Sequence, residues 1–223
     1  MAAPLGKRKR KVRCEGCGLW PELCACDLFP TVEVQTPILV VRHYKERFKP
    51  TSTAKLLPAM APSVKILDYT GGMPPFDPTP LRDETLDLRV LFPREDAEPM
   101  RQTDDGTGGL AVDEGKRLGF VILDGTWHQC SRMSRRVPGV AELPCVALPE
   151  SEPSIYRVRS QHDQRGLCTF EAVVRLWEVL EGPEVVGPLR AAFEVITARM
   201  LYQKGWLDSP EVPADWNDVK PKG

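Results

Sequence analysis

Four of the seven cysteines, Cys14, Cys17, Cys24 and Cys26, fall within thirteen residues as C-x2-C-x6-C-x-C. Thiolates at this spacing can close a tetrahedral zinc site, and a knuckle this small has too little core to fold without a metal. Sulfur at all four positions leaves none open for water, so the role is structural. The C-x-C half is tighter than the usual C-x2-C, and four reduced thiols in a loop stand as the alternative. Cys130, Cys145 and Cys168 are scattered, and an odd total argues against a disulfide framework.

A second constellation is Asp124-Gly125-Thr126-Trp127, directly after the apolar run 119–123. A carboxylate at a strand end suits a general base, a ligand for a cationic group, or a cap for a helix starting near Trp127. Gly125 lets backbone approach a ligand. Trp127 suits stacking on a base or burial as a core indole. His43 and Glu46 lie just beyond another apolar run, 37–41, and read as functional or as a plain surface pair.

The elements that must position these residues are short apolar runs at 37–41, 64–67, 88–92, 119–123 and 145–148. They read as buried strands of a parallel sheet. Segments 51–60 and 127–136 between them are long enough for helices, which indicates βαβ units. The expected fold is α/β, a mostly parallel sheet with helices on both faces. Phe170, Val173, Val174, Trp177 and Leu180 recur at helical spacing, and Gly182-Pro183 stops that helix. Pro188 is expected to open a second helix with Leu189, Ala192, Phe193, Ile196 and Met200 as its buried stripe. Ligands in such sheets bind beyond the carboxyl ends of strands. That rule selects 43–53, Phe92-Pro93-Arg94 and 124–127.

The chain has 223 residues, 42% of them hydrophobic and 27% charged, an ordinary globular balance with room for a core. The net charge of -1 conceals six basic and no acidic residues among positions 1–13. A basic arm on a mildly acidic body suits phosphate contact, or a solvated leader. No run is long enough for a membrane span and no apolar leader opens the chain, which sets a cytoplasmic expectation. No G-x-G-x-x-G, G-x4-G-K-[ST], H-E-x-x-H or G-x-S-x-G is present, so dinucleotide, P-loop, zincin and serine-hydrolase chemistries lack support.

Asp-Gly-Thr-Trp after an apolar strand resembles the signature of the DTW-domain proteins, tRNA-uridine aminocarboxypropyltransferases. Further blocks follow in the family's order: the cysteine cluster, then His43, Glu46, Thr51 and Thr53, then Phe92-Pro93. Tyr156 with Arg159 and Cys168-Thr169-Phe170-Glu171-Ala172 complete the series from about residue 12 to 182. The family has Ser where this chain has Cys168, which weakens a Ser-x-x-Glu capping box and leaves Thr169 as an alternative cap.

The resemblance implies a SPOUT-like, knotted α/β fold that binds S-adenosylmethionine. It also implies transfer of the 3-amino-3-carboxypropyl group to N3 of a tRNA uridine, with methylthioadenosine released. Its site residues would be Asp124, His43 and Glu46 for catalysis. Phe92, Pro93, Arg94, Leu123, Asp124, Gly125, Thr126, Trp127, Tyr156 and Arg159 would hold the donor. Arg8, Arg10, Lys11, Lys49, Thr51, Thr53, Arg132, Arg135 and Arg136 would meet tRNA. Arg94, Arg157 and Arg159 suit donor carboxylate or tRNA phosphate alike, and Glu171 suits an i,i+4 pair with Arg175. The expected organisation is a basic arm (1–11), a four-cysteine zinc knuckle (12–30), a catalytic domain (31–207) and a tail (208–223), as a monomer or homodimer. The competing readings are a SPOUT-type RNA methyltransferase and a non-catalytic zinc-containing RNA-binding module.

Overall fold

A computed structural model describes residues 12–150, 152–158 and 166–219. Six strands form one sheet: β1 (Ile38–His43), β2 (Lys65–Tyr69), β3 (Leu86–Leu91), β4 (Glu98–Pro99), β5 (Arg117–Asp124) and β6 (Cys145–Ala147). Their order is β2-β1-β5-β3-β6-β4, and every pairing is parallel. Five of these strands coincide with the apolar runs. Two-residue β4 carries no apolar pattern and forms only because β6 offers it a free edge.

The central strands are buried on both faces, which is why they read as continuous apolar runs. Ile38, Val40, Phe120 and Ile122 point into one layer, and Leu39, Val41, Val121 and Leu123 into the other. The first layer is covered by α1 (Leu57–Met60), α3 (Thr169–Glu181) and α4 (Pro183–Gln203). The second is covered by α2 (Trp127–Arg136) through Cys130 and Met133. Helices thus lie on both faces, as expected.

Three helical expectations change. The 51–60 segment makes a 3-10 turn at Ala54–Leu56 and a single α turn, because Pro58 and backbone turns at 49–53 leave no room for a longer helix. α4 starts at Pro183 and not at Pro188. Gly182 takes φ +92, a left-handed backbone that breaks α3, and Pro183 then supplies a pre-set φ for the first turn. Pro188 is carried inside α4, where Gly187 before it has no Cβ to clash with the ring. Thirdly, Cys168 does cap α3. Its sulfur accepts from Glu171 N at 3.5 Å while the Glu171 carboxylate accepts from Cys168 N at 3.0 Å. Thr169 is therefore free for other work.

The cysteine knuckle is not an appendage. Cys17, Leu19 and Ala25 are buried in the same core as α3 and α4. Arg199 of α4 donates to the carbonyls of Leu23 and Cys24, and Trp20 N donates to Gln203. Residues 208–219 are irregular apart from a 3-10 turn at Trp216–Asp218, yet Val219 is buried and Trp216 packs on the core. Among the described residues, no helix is long and apolar enough to cross a membrane.

Candidate active site and metal centre

The parallel register brings three strand ends level. Arg42 pairs with Asp124 across β1 and β5, and Leu91 pairs with Ile122 across β3 and β5. His43, Phe92 and Asp124 therefore emerge at one edge of the sheet. The fourth contributor is the start of α3, which packs against β5 from the far end of the sequence.

A cavity of about 580 Å³ opens at this edge, within the range of small-molecule sites. Leu91, Phe92, Leu123, Trp127 and Leu148 make its apolar walls, and Gly125, Cys168 and Thr169 supply polar and backbone groups. Phe92 and Trp127 meet at 5.6 Å between ring centroids. Trp127 is 43% exposed, so it is a face of the cavity mouth and not a core indole. Apolar walls with an aromatic pair at the mouth suit a small ligand with a flat ring.

Asp124 is 3% exposed and does not itself face the cavity. Thr169, a residue of the cavity lining, donates from Oγ1 to Asp124 Oδ1 at 2.6 Å, and Ser52 Oγ donates to Oδ2 at 3.4 Å. Asp124 does not cap α2. That role belongs to Thr126, whose hydroxyl accepts from Gln129 N while Gln129 Oε1 accepts from Thr126 N at 2.8 Å. Thr126→Ala should cost about 1 kcal/mol of stability, seen as a lower urea midpoint at unchanged slope. The same Gln129 amide places Nε2 3.3 Å from His43 Nδ1, which Lys45 N also approaches. Burial, then the charge of Lys45, holds His43 below its ordinary pKa. Nδ1 accepts from Lys45 N–H, so a neutral ring carries its proton on Nε2.

Glu46 is fully buried and ion-paired with Lys49 at 2.5 Å, so it anchors the 44–52 segment from beneath. Thr53 is buried and accepts from Phe170 N, tying that segment to α3. Thr51 offers its carbonyl to the Tyr156 hydroxyl at 2.8 Å, and Tyr156 itself is a core residue outside the cavity. Arg94 turns away to Asp96, with two contacts of 2.6 Å, and to the Ser134 carbonyl. Glu171 accepts from Ser154 and Ile155 besides Cys168, bracing the loop before α3. Arg157 donates to the Val219 carbonyl. Pro93 and Leu123 line the cavity. Arg132, Arg135 and Arg136 are on α2, with Arg135 and Arg136 in its last turn. Arg8, Arg10, Lys11 and Arg159 lie outside the described residues.

Sequence reasoning did not assign Ser52, Gln129 or Thr169 to the site. Thr126-x-x-Gln129 is a legible capping box. Nothing in the sequence shows that Thr169 reaches Asp124.

Cys14, Cys17, Cys24 and Cys26 converge, with all four sulfurs within 4.8 Å of one another. The Cys14–Cys26, Cys14–Cys24 and Cys17–Cys24 separations are 3.5, 3.6 and 3.8 Å. A tetrahedron with zinc–sulfur bonds of about 2.3 Å has edges of about 3.8 Å, so the cluster fits zinc. The backbone N–H of Cys17 pulls the Cys14 thiol down to about 6, whereas burial and neighbouring sulfurs push Cys26 up. Four crowded thiols need a cation before all of them ionise.

The chain is 27% identical over 184 residues to a Drosophila melanogaster protein named tRNA-uridine aminocarboxypropyltransferase 2, covering 79% of the chain and 70% of that protein. It is 24% identical over 187 residues to a Macaca fascicularis protein of the same name, covering 80% of the chain but 59% of that protein. No solved structure matches significantly. The DTW domain matches residues 11–201, spanning the knuckle, the strand ends and both long helices that build the site, so the chain belongs to the DTW-domain family.

Proposed function

We propose that this protein transfers the 3-amino-3-carboxypropyl group of S-adenosylmethionine to N3 of a tRNA uridine. One observation carries the reading: a buried carboxylate, Asp124, linked at 2.6 Å to the hydroxyl of Thr169, a residue that lines an apolar cavity with an aromatic mouth. The names of the two relatives support the substrate and the transferred group.

The donor supplies an electrophilic carbon on a sulfonium: that carbon–sulfur bond breaks, its electron pair stays on sulfur, and methylthioadenosine leaves. The chain's residues do the rest. Phe92 and Trp127 hold the adenine side, and the apolar wall excludes water. Uridine N3 carries a proton at neutral pH, which must leave as the N–C bond forms. Thr169 accepts it while passing its own proton to Asp124, so the buried carboxylate acts as base without facing the cavity. His43 and Glu46 hold the loop that closes the site. Zinc at the four cysteines is structural. The arginines of α2 and the basic arm meet tRNA phosphates.

The test is incubation of the protein with unmodified tRNA and S-adenosylmethionine. Methylthioadenosine and a modified uridine are expected. S-adenosylhomocysteine would make the protein a methyltransferase, and neither product would leave a binding module. Removing residues 1–11 should weaken tRNA binding and flatten the slope of log affinity against log salt by about 0.7–0.9 for each phosphate the arm neutralises. Equal slopes would show that the arm never meets phosphate.

A further inference from the structure

Tyr44 and Phe48 stand out of the surface beside the site, 39% and 78% exposed. Both belong to the 44–52 segment that leaves the carboxyl end of β1. Backbone turns from Arg47 to Tyr44, Lys49 to Glu46 and Ser52 to Lys49 hold this segment, and the Glu46–Lys49 pair pins it. It therefore presents its aromatics from a rigid base and gains nothing from their exposure.

Cations are interleaved with these rings. The Arg47 guanidinium lies 5.8 Å from the Phe48 centroid, and Lys45 Nζ lies 5.8 Å from that of Tyr44. Tyr44 stacks on His43 at 4.9 Å, and His43 contacts Gln129 of α2. One turn along α2, Arg132 is close enough to weigh on the His43 charge. The nearby acids are spoken for: Glu46 is buried on Lys49, and Asp68 pairs with Arg42 at 2.7 Å and Arg47 at 3.6 Å. Aromatic faces among an excess of cations are what single-stranded nucleic acid binds, by stacking and by phosphate contact.

We infer that Tyr44 and Phe48 form a stacking platform for unpaired bases of the RNA loop that carries the target uridine. The inference rests on the proposed activity. N3 lies on the Watson–Crick edge of uridine, so the target must be unpaired and drawn out of its stack. Its neighbours then lose stacking partners, and rigid aromatics on the segment that leaves the carboxyl end of β1 replace them.

The test measures wild type, Phe48→Ala and Phe48→Trp on three probes: an unmodified tRNA transcript, a short oligouridine and a duplex RNA of equal length. Phe48→Ala should weaken tRNA and oligouridine binding by roughly 5- to 150-fold, the range of one lost base stack, and spare the duplex. Phe48→Trp should bind as wild type does. Unchanged tRNA affinity in Phe48→Ala, or equal loss on the duplex, overturns the platform and leaves the proposed activity standing. A dimer that becomes a monomer in Phe48→Ala with RNA affinity intact overturns it too, and assigns the patch to a second copy of the chain. Wild type that binds none of the three RNAs overturns the proposed activity and the platform together.

Discussion

Asp124→Asn should lower product formation by roughly 10²–10⁴-fold, the usual contribution of a positioned general base, while S-adenosylmethionine affinity stays unchanged. The amide keeps the shape of the carboxylate and still accepts from Thr169 or Ser52, so the fold survives. What it loses is the capacity to take a proton. Raising the pH should partly restore activity, because uridine N3 then ionises without help. Thr169 gives the finer test, since it is the hydroxyl between cavity and carboxylate. Thr169→Ser should remain active, and Thr169→Val should fall with Asp124→Asn and share its rescue by pH. Failure of Asp124→Asn to bind the donor would make Asp124 a ligand for the donor's amino group. Full activity would remove it from the chemistry altogether.

Removing the metal should abolish activity as well as loosen the knuckle. The cluster sits against the loop that carries the site. A Cβ at Gly18 would stand 2.4 Å from the Pro50 carbonyl and 2.9 Å from Lys55 Nζ, so only glycine lets the two segments touch. Two and three residues on from Pro50, Ser52 and Thr53 bond Asp124 and Phe170. Structural zinc holds peptide knuckles with about 10–16 kcal/mol of binding free energy. If a third of this reaches the folded chain, the loss is about 4 kcal/mol and Tm falls by about 8–16 °C. Metal analysis should return one zinc per chain. Chelation or Cys17→Ser should lower Tm and donor binding together, since Cys17 belongs both to the cysteine cluster and to the core. Zinc-free protein with an undisturbed fold and full activity would end the metal assignment.

What can be read from sequence follows from which contacts are local. The four cysteines announce their cluster because thirteen residues can bend back on themselves only in a few ways. α2 is readable from Trp127 to Arg136 because its cap, Thr126, and its partner, Gln129, are three residues apart. The buried strands are readable because a strand covered on both faces must be apolar throughout. The membership of Asp124 in a strand end is likewise local.

What sequence could not supply is what Asp124 touches. Its partners are 72 and 45 residues away, and the choice between base, ligand and helix cap turns on them. Glu46 reads as a catalytic candidate or half of a surface pair until the loop folds over it, because burial belongs to the packed chain and not to the residue. The same holds for Tyr156 and Arg94: each stands in a recognisable motif, yet packing sends one into the core and the other to Asp96. Local spacing determined the cysteine cluster, the strands and the residue types of the site. Tertiary packing alone decided that the carboxylate is buried, that Thr169 stands between it and the cavity, and that the knuckle braces both. Hydrogen-bond reach across the sheet edge is a property of the register, and no stretch of sequence contains it.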